Sequence, residues 1–372
     1  MKYGVFIFMF IVFTVLVAYS ALRGWQVLRD FSVLRTTYMV GMIVLFVTLF
    51  LGLTGSFYLP YSLARILAPI GGTALILFLY LFIAFFLTDL VRLVNYFFHF
   101  APEGMLVFRK WAFAGSALII LVVMLTGNYK FNHPEVVHLD ICAENSALQN
   151  KELKIVAASD LHLGITIDKK RLNKYVDLIN EQNPDIILLV GDMCDNVLAP
   201  VVEQGMNEDL RKLKAPLGVY AVPGNHEYIG GNITQTLDYL NSAGMNVLRD
   251  SAVLVHDSFY IIGRDDRTNR NRKPLSDIME GLDRDKPFIL LDHQPYHLEE
   301  AEGEGVDLQI SGHTHEGQFF PANLVVRSLY ENAHGYSRRG NTHYYVSSGL
   351  GIWGPHFRIG TQSEIVVISL KY

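Results

Sequence analysis

Five short stretches in the C-terminal two-thirds of the chain place metal-binding side chains directly after an apolar run. They are Asp160-Leu161-His162, Gly191-Asp192, Gly224-Asn225-His226-Glu227, Asp292-His293 and Gly312-His313-Thr314-His315, with Asp195 trailing the second. Singly, each has an ordinary explanation, because Gly-Asp and Asn-His pairs are common turn chemistry. Together they supply enough carboxylate, amide and imidazole donors for two metal ions. That mixture of hard oxygen and borderline nitrogen ligands suits Mn, Fe or Zn better than Ca, which prefers an all-oxygen shell. It points to metal-assisted hydrolysis of a phosphate ester.

The elements that must position these side chains are legible from about residue 151 to 372. Leu153–Ala158, Ile186–Val190, Gly218–Val222, Phe259–Gly263, Phe288–Leu291, Leu308–Ile310, His343–Ser347 and Ile365–Leu370 read as strands. Leu172, Val176 and Ile179 form one face of a helix with Asp168 as its N-cap, and Asn232 caps a second helix carrying Ile233, Leu237 and Leu240, stopped by Gly244. Buried strands interleaved with helices indicate an α/β domain with both sheet faces covered. Each metal-type stretch follows a strand, so the loops are expected to converge at the carboxyl edge of a sheet. The glycines at 191, 224 and 312 would let the backbone turn sharply there.

Residues 1–128 are of another kind. Apolar stretches at about 3–20, 38–59, 66–88 and 111–127 are long enough, or nearly so, to cross a bilayer, which takes roughly 20 residues per helix. The first is read as a retained anchor, since its apolar run is long and no small-residue cleavage site is evident. Arg23, Arg29, Arg35, Arg92, Arg109 and Lys110 fall on one side of a four-span bundle, against Lys2, Arg65 and Lys130 on the other. The cation bias puts the longer linkers in the cytoplasm and the C-terminal domain outside it, in a multi-pass cell-membrane protein. The spans are nearly free of charge, which favours an anchor over a transport path, and Gly52, Gly55, Gly71 and Gly72 are expected at close helix contacts. The aromatic segment 89–110, including Pro102, is expected to lie along the interface, and 129–150 is taken as a linker leading into the domain. The net charge, 31 − 36 = −5, argues against a nucleic-acid partner. Cys142 and Cys194 are the two cysteines; their pairing is left open, and Cys194 is read as a small filler beside the site.

The ordered series Asp-x-His, Gly-Asp, Gly-Asn-His-Glu, His and Gly-His-Thr-His over about 150–372 resembles the calcineurin-like metallophosphoesterase superfamily. Gly218–Glu227 and Ser348–Pro355 are similar to its membrane-anchored bacterial branch, which includes proteins similar to the UDP-diacylglucosamine hydrolases. The resemblance implies a four-layer α/β/β/α sandwich. It also implies that Asp160, His162, Asp192 and His315 hold one divalent metal, and that Asp192, Asn225, His293 and His313 hold a second, with Asp192 bridging. On the same basis a water shared by both metals would attack phosphorus as hydroxide, and His226 would stabilise phosphate oxygens or protonate the leaving group. Asp195 would orient a ligand by hydrogen bonding.

The expected partners are the lipid bilayer and a phosphate-containing, lipid-linked substrate whose phosphate ester, phosphodiester or pyrophosphate bond is cut. The competing reading is a non-enzymatic, metal-dependent interaction module on the same fold, which would be expected to lack part of the ligand set. His356 and Arg358 are expected to line the substrate pocket, while His297, His334 and His343 serve structure or surface. Glu316 departs from the Gly common in related chains; it either narrows the site or faces solvent. The cation-rich run Arg264–Lys273 reads as a solvated loop or a lid over an anionic group.

Overall fold

A computed structural model describes residues 2–101, 104–143 and 152–372, excluding side chains at 2–6, 8–9 and 55–58. Pro102 and residues 144–151 of the expected linker therefore lie outside the described residues. The chain divides into two compact units, Met1–Asn128 with Gly354–His356, and Tyr129–Trp353 with Phe357–Tyr372.

The first unit is helical: α1 Lys2–Val27, α2 Ser32–Tyr58, α3 Tyr61–Phe98 and α4 Met105–Asn132. All four are long and apolar enough to cross a membrane. The helices overrun the expected spans into 89–110. Asp89–Phe98 simply continues α3, because nothing breaks the helix before the left-handed turn at His99, and Met105–Lys110 opens α4. Asp89 is consequently inside a helix, where Tyr19 Oη donates to it at 2.7 Å and Arg23 and Arg92 pair with it at 2.6 and 2.7 Å. An isolated carboxylate in an apolar bundle would be costly, and this ring of donors offsets that cost. α2 and α3 cross at Gly52 and Gly71, where a Cβ on Gly52 would lie 2.7 Å from the Leu67 carbonyl oxygen.

The second unit holds two six-stranded sheets. The first has the order β1 (Glu135–Cys142), β12 (Glu364–Lys371), β2 (Glu152–Ala158), β3 (Ile186–Val190), β4 (Val219–Val222) and β5 (Asn246–Val247). The second runs β10 (Gly335–Arg339), β11 (Thr342–Val346), β9 (Leu308–Ser311), β8 (Phe288–Leu291), β7 (Phe259–Gly263) and β6 (Ser251–Val255). β2 to β5 are mutually parallel, as are β7, β8, β9 and β11.

Residue parity within the strands sorts the layers. Ile155, Ala157, Ile186, Leu188 and Val190 meet Ile261, Ile289, Leu291, Leu308 and Ile310 in a core between the sheets. The alternate residues Val156, Ala158, Ile187 and Leu189 pack against Leu172, Val176 and Ile179 of α5 (Lys169–Glu181). On the far side Ile262, Phe288 and Leu290 pack against Leu275, Ile278, Leu298 and Ala301 from short helices. The order is helix, sheet, sheet, helix, the expected four layers. Strands buried on both faces must be apolar at every position, which is why they read as continuous runs. α5 starts as expected, with the Asp168 carboxylate accepting from the Arg171 amide at 2.9 Å.

Candidate metal centre

The parallel strands deliver the loops to one edge. Asp160 and His162 follow β2, Asp192 follows β3, Asn225 and His226 follow β4, His293 follows β8, and His313 and His315 follow β9. The two sheets are stitched together there. The His313 amide donates to both Asp160 carboxylate oxygens at 3.1 Å, and His293 Nδ1 lies 2.9 Å from the Val190 carbonyl oxygen.

The backbone is strained where these side chains emerge. Asp160, His162, Asp192, His313 and His315 have φ of 54°, 50°, 51°, 70° and 48°, in the left-handed region that L-residues seldom occupy. Such conformations cost on the order of 1–3 kcal/mol each and concentrate at functional sites. Gly224 and Gly312 are equally specific, because a Cβ on either would strike the carboxylates of Asp192 and Asp160 respectively.

The donor atoms fall into overlapping groups, each within 4.8 Å: Asp160, His162 and His315; Asp192, His293 and His313; and His162, Asp195 and His226. Asp192 Oδ2 lies between the first two, 3.9 Å from His162 Nε2 and 3.1 Å from His293 Nε2. His162 Nε2 and His315 Nε2 face each other at 3.0 Å, and His315 Nε2 is 3.3 Å from Asp160 Oδ1. These residues fit a metal on their own evidence. A carbonyl beside His293 Nδ1 requires a proton there, so Nε2 is the atom that would meet a metal once the ring is neutral. Asn225 Oδ1 is buried without a hydrogen-bond partner, and His293 Nε2 faces only the Asp192 carboxylate oxygen at 3.1 Å. Buried polar atoms are rarely left so, and a cation would satisfy both.

The buried carboxylates and imidazoles set one another's protonation. Burial pushes the Asp192 carboxyl upward, yet His293, His226 and His162 hold it well below the usual carboxylate range. Burial, then the charge of His293, push His313 down to about 4. Burial would lower His226 too, but its hydrogen bond to Asp195 and the charge of Asp192 carry it up to about 9. Asp195 Oδ1 lies 3.1 Å from His226 Nδ1 and 3.7 Å from His162 Nδ1, so it sits where it can orient both rings.

Two residues matter more, or differently, than their sequence context suggests. Glu227 is 2% exposed, and its carboxylate accepts from the amides of Asp192, Cys194 and Gly224 at 3.1, 2.9 and 2.7 Å. It ties the β3 and β4 loops together without facing the metal-type cluster itself. Arg358 corrects the expectation of a substrate contact. It is 0% exposed, and its guanidinium donates to the carbonyls of His315, Gly349 and Gly351 at 3.0, 2.9 and 2.7 Å. With Nε donating to Ser363 Oγ as well, four of its five N–H groups are held by the loops carrying His315, Gly349 and Ser363, a structural role.

His356 falls in the helical unit, where its carbonyl accepts from Asn128 at 2.9 Å. His297 is exposed, His334 pairs with Glu364 at 3.2 Å, and His343 contacts Tyr336 Oη at 2.9 Å. Glu316 does not face solvent: it is 6% exposed and pairs with Arg327 at 2.5 Å. Cys142 and Cys194 are both free, so no disulfide links them.

The sequence is similar to known proteins. The model of the calcineurin-like phosphoesterase family matches residues 153–317. An uncharacterized metallophosphoesterase of Helicobacter pylori is 37% identical over 227 residues, covering 59% of this chain and 60% of its own. A Danio rerio protein described as a transmembrane protein with metallophosphoesterase domain is 32% identical over 253 residues, 64% of this chain and 57% of its own. A Campylobacter jejuni metallophosphoesterase is 34% identical over 264 residues, 68% of this chain and 69% of its own. The chain thus spans about 60% of the length of the first two relatives. With its four-layer sandwich, its clustered donors and these relatives, the chain belongs to the calcineurin-like phosphoesterase family.

Proposed function

We propose that the chain is a membrane-anchored hydrolase of a phosphate ester, phosphodiester or pyrophosphate bond that uses two divalent metal ions of the Mn, Fe or Zn type. The observation that carries this reading is the place of Asp192, whose Oδ2 lies within 3.9 Å of His162 Nε2 and 3.1 Å of His293 Nε2. Asp160, His162 and His315 would hold one ion with Asp192, and Asn225, His293 and His313 would hold the other with the same carboxylate. Bound there, such ions supply charge neutralisation on the phosphate and a nucleophile ionised near neutral pH.

The protein's own residues do the rest. Asp195 orients His226, whose ring is partly exposed at the mouth of a cavity lined by Asp195, Asn196, Leu198 and Asn232. His226 is thereby placed to stabilise a phosphate oxygen or protonate a departing alkoxide, work commonly given to His. The four apolar helices suggest a substrate presented at a bilayer, such as a phospholipid or a lipid-linked pyrophosphate.

The test uses the full chain in detergent with a generic aryl phosphodiester. Asp160→Ala and His293→Ala are expected to lower kcat at least about 1000-fold while circular dichroism stays native, in line with the loss of a metal's Lewis-acid contribution. Wild-type rates in either variant sink the assignment.

A further inference from the structure

The cation-rich run after β7 is anchored by its buried residues, while Thr268, Arg270, Asn271 and Lys273 are exposed. Asp265 and Asp266 are each 1% exposed; the former accepts from Arg249 and Asn269, the latter from Gln294 and the Thr268 amide. Arg264 pairs with Glu300 at 2.6 Å and with Asp292 at 3.2 Å, and Arg272 pairs with the other oxygen of Asp292 at 3.2 Å. The loop is therefore pinned at both ends, while Arg270 and Lys273 point outward as exposed residues.

Arg267 is set differently. Its guanidinium carbon lies 4.4 Å from the ring centroid of Tyr296, it makes no ion pair among the described residues, and its Nη1 is buried without a hydrogen-bond partner. Tyr296 continues inward: its hydroxyl is 2.9 Å from that of Tyr330, and the two rings are 4.9 Å apart. Tyr330 then meets His313 at 6.3 Å between centroids, and His313 meets His293 at 5.3 Å. A row of rings leads from the metal-type cluster to one arginine whose guanidinium lies over the last ring. A guanidinium lying on an aromatic face keeps its in-plane N–H groups directed at the rim, the geometry that grips a carboxylate or phosphate in bidentate fashion. A sheltered cation with an unsatisfied donor calls for such a partner.

We propose that Arg267, with the Tyr296–Tyr330 hydroxyl pair, forms a second anion-binding subsite on the His313 side of the centre. It takes an acidic group of the substrate other than the phosphorus under attack, a second phosphate or a carboxylate. The preferred substrates then carry two separated acidic groups, which a neutral-armed diester does not. The inference rests on the phosphoesterase reading for the first of those groups.

The test reads binding rather than turnover. Full-length protein in detergent micelles, loaded with Mn, is titrated calorimetrically with matched pairs of ligands: alkylphosphonates of increasing length, and the same chains ending in a carboxylate. At one chain length the carboxylate is expected to tighten binding about 10-fold or more, as one charge-assisted contact would. Arg267→Ala removes that preference and leaves the alkylphosphonate affinity unchanged, while Arg267→Lys restores part of it. Three results overturn the subsite: no preference at any length in the wild type, a preference that survives Arg267→Ala, or equal weakening of both ligands, which marks a structural role for the stack. Failure to bind either phosphonate refutes the phosphoesterase reading along with the subsite. A carboxylate preference without phosphodiester hydrolysis refutes catalysis alone.

Discussion

At the scale of single residues, the centre depends on side chains that would never touch a phosphate. Glu227 accepts three amide N–H groups from the two loops that carry Asp192 and Asn225. Hydrogen bonds to a charged group contribute about 1.5–3 kcal/mol each, and glutamine cannot accept all three. Glu227→Gln is therefore expected to lower stability by about 2 kcal/mol or more and to weaken metal binding at least about 10-fold. Calorimetric metal titration beside urea unfolding checks both, and unchanged metal affinity would show that the loops hold their shape without this carboxylate. The ligand-type residues were legible because their chemistry is local: a glycine, a left-handed Asp or His and a preceding apolar run all leave a mark in sequence. Arg358 left none. Its partners are backbone carbonyls of residues 315, 349 and 351, and a carbonyl has no residue type.

At the scale of elements, the central strands were visible and the edges were not. β3, β4, β8 and β9 are buried on both faces, so every position is constrained. β1 is mostly half-exposed and interrupted by His138 and Asp140, which let it pass for a linker, although it pairs in parallel with β12 along its whole length. β10 is Gly-Tyr-Ser-Arg-Arg, and only its pairing with β11 makes it a strand. β5 and β6 escaped for similar reasons, one being two residues long and the other at a sheet edge.

Asp307 shows the energetics of joining two such strands. It stands just before β9, and its Oδ2 accepts from the Phe288 amide that begins β8 at 2.8 Å, while Oδ1 is buried without a partner. Burial pushes its pKa from 3.8 up to about 6, so the folded state binds the proton more tightly than the unfolded state. Its contribution to stability is complete below about pH 4 and is lost as pH rises through about 6, by an amount on the order of 1–3 kcal/mol. Urea midpoints measured across that window should show this slope in the wild type and its reduction in Asp307→Asn. An unaltered slope in the variant would assign the titration to another group.

At the scale of the whole molecule, one chain joins four helices long and apolar enough to cross a membrane to an α/β unit. The four apolar helices end at Asn132 and β1 begins at Glu135, so a short stretch of sequence separates lipid-compatible from water-compatible folding. The cations between the first two spans and between the last two outnumber those on the other side. The α/β unit is accordingly expected outside the cytoplasm. A C-terminal alkaline phosphatase fusion should be active and a cytoplasm-dependent fluorescent fusion dark; the reverse pattern would invert the topology.

The central claim is that the clustered Asp, Asn and His side chains form a two-metal hydrolytic centre, and the most direct measurement is metal titration of the stripped, full-length protein with hydrolysis followed in parallel. Phosphodiester hydrolysis should rise with added Mn and level off near two ions per chain, and Asp192→Ala, which removes the shared carboxylate, should neither reach that occupancy nor hydrolyse. A stripped protein that hydrolyses without metal, or one that binds none, would contradict the account.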